Sequence, residues 1–160
     1  MSRALNLVFC LALFFALDSS AAVLQIQIKP KVSGENVQPA SLRYQTSANE
    51  SFSITRASYL VSNFELQRED GSWFAFPNFV AWMDFAAHRD SIRLDLPPGE
   101  FRSIRFLLGL DTNMNHADPA KFPASHPLNP NLDGLNWSWQ GGYIFLALEG
   151  LWRNENGIET

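Results

Sequence analysis

Three histidines, His88, His116 and His126, are the side chains of this sequence best suited to bind a metal ion. Imidazole nitrogen binds copper, zinc and iron, and the thioether of Met114, two residues before His116, suits Cu(I). The spacing between His116 and His126 matches no standard local metal motif. Metal binding therefore competes with a simpler interpretation, in which these are solvent-exposed histidines of a loop.

Carboxylate and amide side chains lie next to these histidines and suggest a second kind of site. Asp111, Asn113 and Asn115 have the i, i+2, i+4 spacing that begins an EF-hand loop. His116 occupies the position of the required glycine and Phe122 that of the bidentate glutamate, so the segment is no EF-hand. A looser Ca²⁺ site with Asp111 as a ligand is one interpretation, and side chains that cap turns are the other.

Two tryptophans, Trp137 and Trp139, lie just ahead of a glycine pair in the segment "NWSWQGGY". In an extended segment, residues two apart point to the same side. One interpretation is that the rings bury apolar area and fasten the loop to a sheet. In a second interpretation the two rings stack on sugars. In a third the rings are oxidised, because indole gives up electrons readily near a copper or haem oxidant.

Composition excludes several chemistries. The only cysteine, Cys10, falls in the apolar segment near the N-terminus, so the mature chain has no thiolate ligand, cysteine nucleophile or iron–sulfur site. The net charge of −4 and the absence of a lysine or arginine cluster give nucleic-acid binding no electrostatic support. No nucleophile–base pair and no paired acidic site is apparent, so we expect a protein that is not an enzyme.

Residues 1–22 have the order of a secretory signal peptide. Arg3 precedes an apolar run, and small residues follow it, which places cleavage after Ala22. The apolar run is too short for a comfortable membrane span. We therefore predict a periplasmic or secreted protein with no transmembrane segment after cleavage, in which residues 23–160 form a single domain.

Strand patterns dominate the mature chain and predict an all-β antiparallel domain, either a sandwich or a barrel-like fold. Apolar and polar residues alternate from Leu24 onward, and residues 52–67 form one bent strand or two. Asp70-Gly71 predicts a hairpin in which residues 63–67 pair with residues 73–76. A second hairpin is predicted around Pro97-Pro98-Gly99, because apolar residues alternate on both sides of that turn.

Residues 111–142 have no period and are rich in Asn, Asp, Pro and Gly, which predicts one long loop. Its prolines, histidines and tryptophans indicate a loop that is ordered and packed. The segment "YIFLALEGLW" then predicts a strand that is apolar on both faces and central in its sheet. Asn156-Gly157 predicts a final hairpin whose second strand is very short.

Several segments closely resemble the MbnP-like family of secreted bacterial proteins, which are named from methanobactin operons. The segments are "SYLVSNFELQREDGSW", "LPPGEFRSIRFLLGLD" and "HPLNPNLDGLNWSWQGGYIFLALEG". The resemblance runs from Val23 to Gly150, and its most specific part is the order His-Pro, Trp-x-Trp and Gly-Tyr.

The resemblance implies a periplasmic or surface protein that binds copper. It also implies a partner, a dihaem cytochrome c peroxidase-like protein of the MbnH type, which oxidises a tryptophan to kynurenine near the copper site. Carried onto this sequence, His126 is the first ligand candidate, His116 the second and His88 the third. Trp137, and after it Trp139, is the candidate for oxidation, while Met114 and Asp111 are further candidate ligands.

This sequence departs from the family pattern at its C-terminal end. Family members usually continue past the "LEG" strand to a further strand that ends in a His-x-Gly pattern, whereas this sequence stops at Thr160. If that later histidine is a ligand, this chain is expected to bind copper weakly or not at all. The alternative function is an exported β-sandwich module for carbohydrate binding or adhesion, in which Trp73, Trp137 and Trp139 stack on sugar rings.

Overall fold

The structure, a computed structural model, describes residues 22–137, 139–154 and 157–159. The predicted signal peptide therefore lies outside the described residues, apart from Ala22. The strands are β1 (Ala22–Gln27), β2 (Lys31–Val32), β3 (Glu35–Asn36), β4 (Tyr44–Gln45), β5 (Ser51–Phe52), β6 (Arg56–Arg68), β7 (Trp73–Ala75), β8 (Val80–Asp84), β9 (Ser91–Leu96), β10 (Phe101–Leu108), β11 (Asn136–Trp137), β12 (Gly142–Tyr143), β13 (Leu146–Glu149), β14 (Trp152–Asn154) and β15 (Gly157–Glu159). Between β10 and β11 lie a short helix α1 (Thr112–Asn115) and a 3-10 helix (Pro119–Lys121).

The fold is all-β and antiparallel, as predicted, and the sheets of the described residues form a sandwich-like arrangement without closing into a barrel. Its centre is the long strand β6. Two strands, β10 and β13, pair with successive parts of one edge of β6. Two others, β7 and β8, pair with successive parts of its other edge. The predicted hairpin at Asp70-Gly71 is confirmed, because Gln67 pairs with Trp73 and Glu65 with Ala75.

A bulge in β6 decides which of its side chains face each layer. Asn63 has a φ of 51°, and the pairing of β6 with β10 shifts register there, between Glu65 and Ser62. The extra residue moves Phe64 onto the same face as Val61, where strict alternation would have placed Asn63. Leu60 occupies the opposite face. Both faces of β6 are therefore buried.

The first face of β6 is covered by the two-stranded sheet β1–β9. Ile92 and Leu94 of β9 pack on Val61 and Phe64, and the alternation predicted for β9 is confirmed. The second predicted hairpin is wrong. β9 pairs with β1 and β10 pairs with β6, so Pro97-Pro98-Gly99 carries the chain between two sheets.

The strand β10 is much more exposed than its alternating pattern predicts. Ile104, Phe106 and Leu108 are 38%, 49% and 53% exposed, and only Leu110, beyond the end of the strand, is buried. Among the described residues β10 pairs with β6 alone and has no neighbour on its other side. Alternation identifies the apolar face of a strand, but that face is buried only where a second layer covers it. In the part of the chain that the structure describes, no second layer covers β10.

The predicted central strand at "YIFLALEGLW" is also wrong, because the chain there divides among three strands in three sheets. Gly150 lies where the chain passes from β13 to β14. A Cβ at Gly150 would clash with the carbonyl oxygen of Ser53, so the two backbones are in close contact. β14 then pairs with β5 and with β15, in agreement with the predicted final hairpin, whose turn residue Asn156 lies outside the described residues.

The second face of β6 is covered by the segment between β10 and β13, which we call the long loop (residues 109–145). Leu128, Leu135 and Tyr143 of this loop are buried against Leu60 and Val80. The long loop therefore covers the face of β6 that lies opposite the β1–β9 sheet, a face that an ordinary two-sheet sandwich leaves to solvent. Among the described residues, no helix has the length and apolar character needed to cross a membrane.

Candidate functional site

Three buried side chains hold the long loop on the sheet. Leu135 and Leu128 are 0% and 1% exposed, and the Tyr143 hydroxyl donates to the carbonyl of Leu128 at 2.6 Å. Farther along, the amide of Ile144 donates to the carbonyl of Leu135 at 2.7 Å. These contacts agree with the prediction that the loop is ordered and packed.

The carboxylates near the first histidine of the loop bind the backbone. Asp111 begins α1 and accepts from the amide of Met114 at 2.9 Å, and this hydrogen bond lowers the pKa of the Asp111 carboxyl. Asp118 begins the 3-10 helix in the same way, by accepting from the amide of Ala120 at 3.0 Å. The interpretation of Asp111 as a side chain that caps a turn is therefore confirmed, and Asp118 acts in the same way.

The two tryptophans are exposed at the tip of a two-stranded hairpin. Trp137 pairs with Gly142, and the rings of Trp137 and Trp139 meet edge to face, with centroids 4.9 Å apart and planes at 69°. Trp137 is 42% exposed and Trp139 is 69% exposed. The interpretation that these rings are buried to fasten the loop is therefore wrong, since Leu128, Leu135 and Tyr143 do so.

The glycine pair after the tryptophans closes this hairpin. The amides of Gln140 and Gly141 both donate to the carbonyl of Trp137 at 3.0 Å, and Gly141 adopts a φ of 67°, which a residue with a Cβ rarely takes. Gly142 is needed for a different reason. A Cβ there would lie 3.0 Å from Nδ2 of Asn115, whose Oδ1 accepts from the amide of Tyr143 at 2.9 Å.

His116 is attached directly to this tryptophan hairpin. Its Nδ1 lies 2.9 Å from the carbonyl oxygen of Gly141, and a carbonyl can only accept, so Nδ1 carries the proton. In the neutral ring, Nε2 then keeps a free lone pair. The ring is exposed and lines a cavity of about 250 Å³ together with Asn136, Gly141 and Tyr143, which we call the His116 cavity. This is the arrangement in which a histidine is ready to bind a metal ion.

His126 is held in the opposite way. The backbone amide of Leu128 donates to its Nδ1 at 3.0 Å, and because an amide can only donate, the proton of the neutral ring lies on Nε2. The ring stacks on Phe122 with centroids 4.5 Å apart and planes at 14°, and partial burial lowers its pKa. It lines a different cavity, of about 270 Å³, together with Met114, which we call the His126 cavity.

The third histidine lies elsewhere. His88 is exposed in the turn after β8, where it lines a cavity with Lys29, Val37 and Asp90. The structure therefore does not gather the three histidines, and Met114 accompanies His126, although it is closer to His116 in sequence. Among the described residues, no group of three His, Cys, Asp or Glu side chains is placed to hold a metal ion.

Several contacts that shape the site were not identified from the sequence. The carbonyl of Gly141 and the amide side chain of Asn115 act through contacts across the loop, which local patterns do not reveal. Asp133 is 8% exposed, its Oδ1 accepts from the amide of Leu135, and its Oδ2 has no partner among the described residues. Burial raises the pKa of the Asp133 carboxyl. Only the turn pair Asp133-Gly134 would have drawn attention to it.

Comparison with known proteins gives a consistent result. A family described as MbnP matches residues 21–158. The solved structure of MbnP from Methylosinus trichosporium superimposes with a TM-score of 0.63 at 20% sequence identity, over 82% of this chain and 55% of that one, so the likeness shows a shared fold. This chain spans little more than half the length of that protein, and no curated protein matches it. With nearly all of the described residues covered by the family match, the chain belongs to the MbnP family.

Proposed function

We propose that this protein is an exported copper-binding protein in which His116 supplies an imidazole ligand next to the exposed Trp137 and Trp139. Membership of the MbnP family supports a methanobactin-associated, copper-related role. The observation that carries the residue assignment is the hydrogen bond from His116 Nδ1 to the carbonyl of Gly141. It fixes the metal-binding tautomer and joins the histidine to the hairpin that presents the tryptophans.

The donors of the long loop fit a copper ion in part. A neutral imidazole suits Cu(I), and metal-binding histidines commonly donate the other ring N–H to a backbone carbonyl, as His116 does. Among the described residues no three His, Cys, Asp or Glu side chains lie together, which leaves room at the proposed site for a donor of another kind. A tryptophan converted to kynurenine provides an aryl amine and a ketone, and Trp137 lies in the same hairpin as Gly141.

Oxidation of the tryptophan is assigned to a dihaem cytochrome c peroxidase-like partner that uses peroxide. Two molecules of peroxide are reduced to two of water while the indole C2–C3 bond is cleaved and two oxygen atoms are added. Hydrolysis then removes C2 as formate, which leaves kynurenine. The exposure of Trp137 and Trp139 supports this assignment, because an oxidant outside the protein can approach both rings. Trp137 is the preferred target, since β11 places it opposite Gly142 in the hairpin that binds His116.

The prediction that His126 is a ligand stays a prediction. It requires His126 to give up the hydrogen bond from the amide of Leu128, or to bind as an imidazolate, before Nε2 can reach a metal ion. The carbohydrate alternative has little support from the geometry, because rings at 69° to each other do not form a common flat platform.

The decisive experiment is a Cu(I) titration of the protein co-expressed with the dihaem partner. We expect His116→Phe to weaken binding by more than the roughly 10–100-fold that loss of an outer hydrogen-bond partner costs a metal site. His126→Phe, the matched control, should bind as the wild type does. A larger loss of Cu(I) affinity in His126→Phe than in His116→Phe would assign the ligand to His126.

The intact mass of the co-expressed protein should show the gain of one oxygen and the loss of one carbon, and Trp137→Phe should prevent that change.

A further inference from the structure

The His126 cavity has the features of a binding site for a neutral organic molecule. Its walls are formed by Val80, Met114, Phe122 and Leu128, and all but Met114 and Phe122 are buried. Two exposed amides, Asn78 and Asn113, complete the lining together with Ala117 and His126. Apolar walls with a few polar groups are typical of small-molecule sites.

His126 belongs to the lining of this cavity, and its ring carries one hydrogen-bond donor of fixed direction. The stack on Phe122 fixes the plane of the imidazole, and the amide of Leu128 occupies Nδ1. Nε2–H is therefore the ring group that can donate a hydrogen bond to a ligand, and it has no hydrogen-bond partner among the described residues. A ligand that covers this donor should bring an acceptor, because an apolar ligand would take water from the N–H and leave it unpaired, which is costly.

The charge of the lining restricts the ligand further. No Lys, Arg, Asp or Glu side chain is part of it. A carboxylate or an ammonium group placed there would lose water without gaining an opposite charge, which is strongly unfavourable. The acceptor must therefore belong to a neutral group such as a ketone, ester or amide.

The size of the cavity sets the dimensions of the ligand. Its volume is about 270 Å³. An apolar protein cavity of about 150 Å³ is sufficient for benzene. The His126 cavity thus accommodates one aromatic ring with a short substituent, and the flexible thioether of Met114 can adapt to the outline of that ring.

We infer that the His126 cavity binds a small, neutral aromatic molecule with one hydrogen-bond acceptor, and that Nε2–H of His126 donates to that acceptor. An aryl ketone is the simplest member of this class. The linings of the His126 cavity and the His116 cavity share Ala117 alone, and the inference does not depend on the proposed copper function.

Three probes of nearly equal size test the inference on the full chain in the presence of EDTA. Acetophenone has the ring and the acceptor, isopropylbenzene has the ring alone, and benzoate has the ring with a negative charge. We expect acetophenone to bind about fivefold more tightly than isopropylbenzene, the effect of one ordinary hydrogen bond, and benzoate not to bind. Amide chemical shifts of residues around the cavity, recorded by NMR during titration, measure all three affinities.

Two variants locate the site. His126→Phe keeps a ring to stack on Phe122 and removes the donor, so isopropylbenzene should bind as before and acetophenone should lose its fivefold advantage. Ala117→Phe should fill the cavity and prevent the binding of both. Equal affinity of wild-type protein for acetophenone and isopropylbenzene would overturn the inference. So would binding that survives Ala117→Phe in a folded variant, or the absence of acetophenone binding up to its solubility.

Discussion

His116 and His126 belong to the same loop, yet the protein holds them in opposite tautomers. His116 donates from Nδ1 to a carbonyl and keeps a free lone pair on Nε2, whereas His126 accepts at Nδ1 and keeps a proton on Nε2. The first is prepared to bind a metal ion and the second to donate a hydrogen bond. The partner of the second ring nitrogen, and not the presence of a histidine, decides what each ring can do.

The two arrangements also differ in how much of the fold they require. His126 is held by an amide only two residues farther along the chain, whereas His116 is held by a carbonyl 25 residues away. The His116 arrangement therefore depends on α1 and the tryptophan hairpin being packed together. Perturbations of the long loop should affect the two cavities to different degrees.

The largest effect is expected from loss of the packing on which both cavities depend. Leu135 is 0% exposed in the cluster under the loop, so Leu135→Ala should lower the free energy of unfolding by about 2–5 kcal/mol. Urea denaturation measures it. Leu148→Ala is the matched control, because Leu148 is 65% exposed, and it should change stability by less than about 0.5 kcal/mol. Equal effects would show that the loop is not packed on the sheet.

A smaller effect is expected when one hydrogen bond of the loop is removed. Tyr143→Phe deletes the hydroxyl that donates to the buried carbonyl of Leu128 and leaves that carbonyl unpaired, which should cost about 1–3 kcal/mol. Tyr59→Phe is a suitable control, because among the described residues the hydroxyl of Tyr59 has no hydrogen-bond partner. If thermal or urea unfolding shows the same loss for both variants, the bond from Tyr143 does not hold the loop.

Gly142→Ala should separate the two cavities. The new Cβ would lie 3.0 Å from Nδ2 of Asn115, so Asn115 must shift and the hairpin that binds His116 is disturbed. We expect Cu(I) affinity to fall by about tenfold, the lower end of outer-partner effects, while acetophenone binding at His126 is unchanged. Combining Gly142→Ala with Asn115→Ala removes the contact, and the double variant should bind copper no worse than Asn115→Ala alone. A parallel loss at both cavities would contradict their independence.

Features of the fold that depend on neighbouring residues could be predicted from the sequence. Asp70-Gly71 located a hairpin because glycine readily adopts the positive φ of a tight turn, although the loop between Arg68 and Ser72 contains three residues and not two. Ile92 and Leu94 were assigned to a buried face because alternation reports directly on burial. The absence of any period in residues 111–142, together with its histidines and tryptophans, located the loop that carries both cavities.

Features that depend on distant partners could not be predicted. Alternation shows that β9 and β10 are strands but does not say that β9 pairs with β1 and β10 with β6. The exposure of Trp137 and Trp139 follows from the hairpin formed with Gly142, whereas their residue type suggests burial. The tautomers of His116 and His126 follow from single backbone groups, and no pattern of side chains encodes them.

The smallest effect concerns the pH dependence of stability that His126 contributes. Partial burial lowers its pKa below the ordinary value of 6.5, so between the two values the unfolded chain binds more protons than the folded one. Stability should therefore decrease slightly as pH falls below about 6.5 and level off below the folded-state pKa. Asp133 contributes with the opposite sign at lower pH, because burial raises the pKa of its carboxyl. Its contribution to stability is lost as pH rises from about 3.8.

The urea midpoints of wild type and His126→Phe, measured between pH 5 and 8, isolate the contribution of the histidine, since the variant keeps Asp133. A slope that persists unchanged in His126→Phe would mean that His126 is as solvated as a free imidazole, and its distinction from His116 would then rest on the hydrogen bond from Leu128 alone.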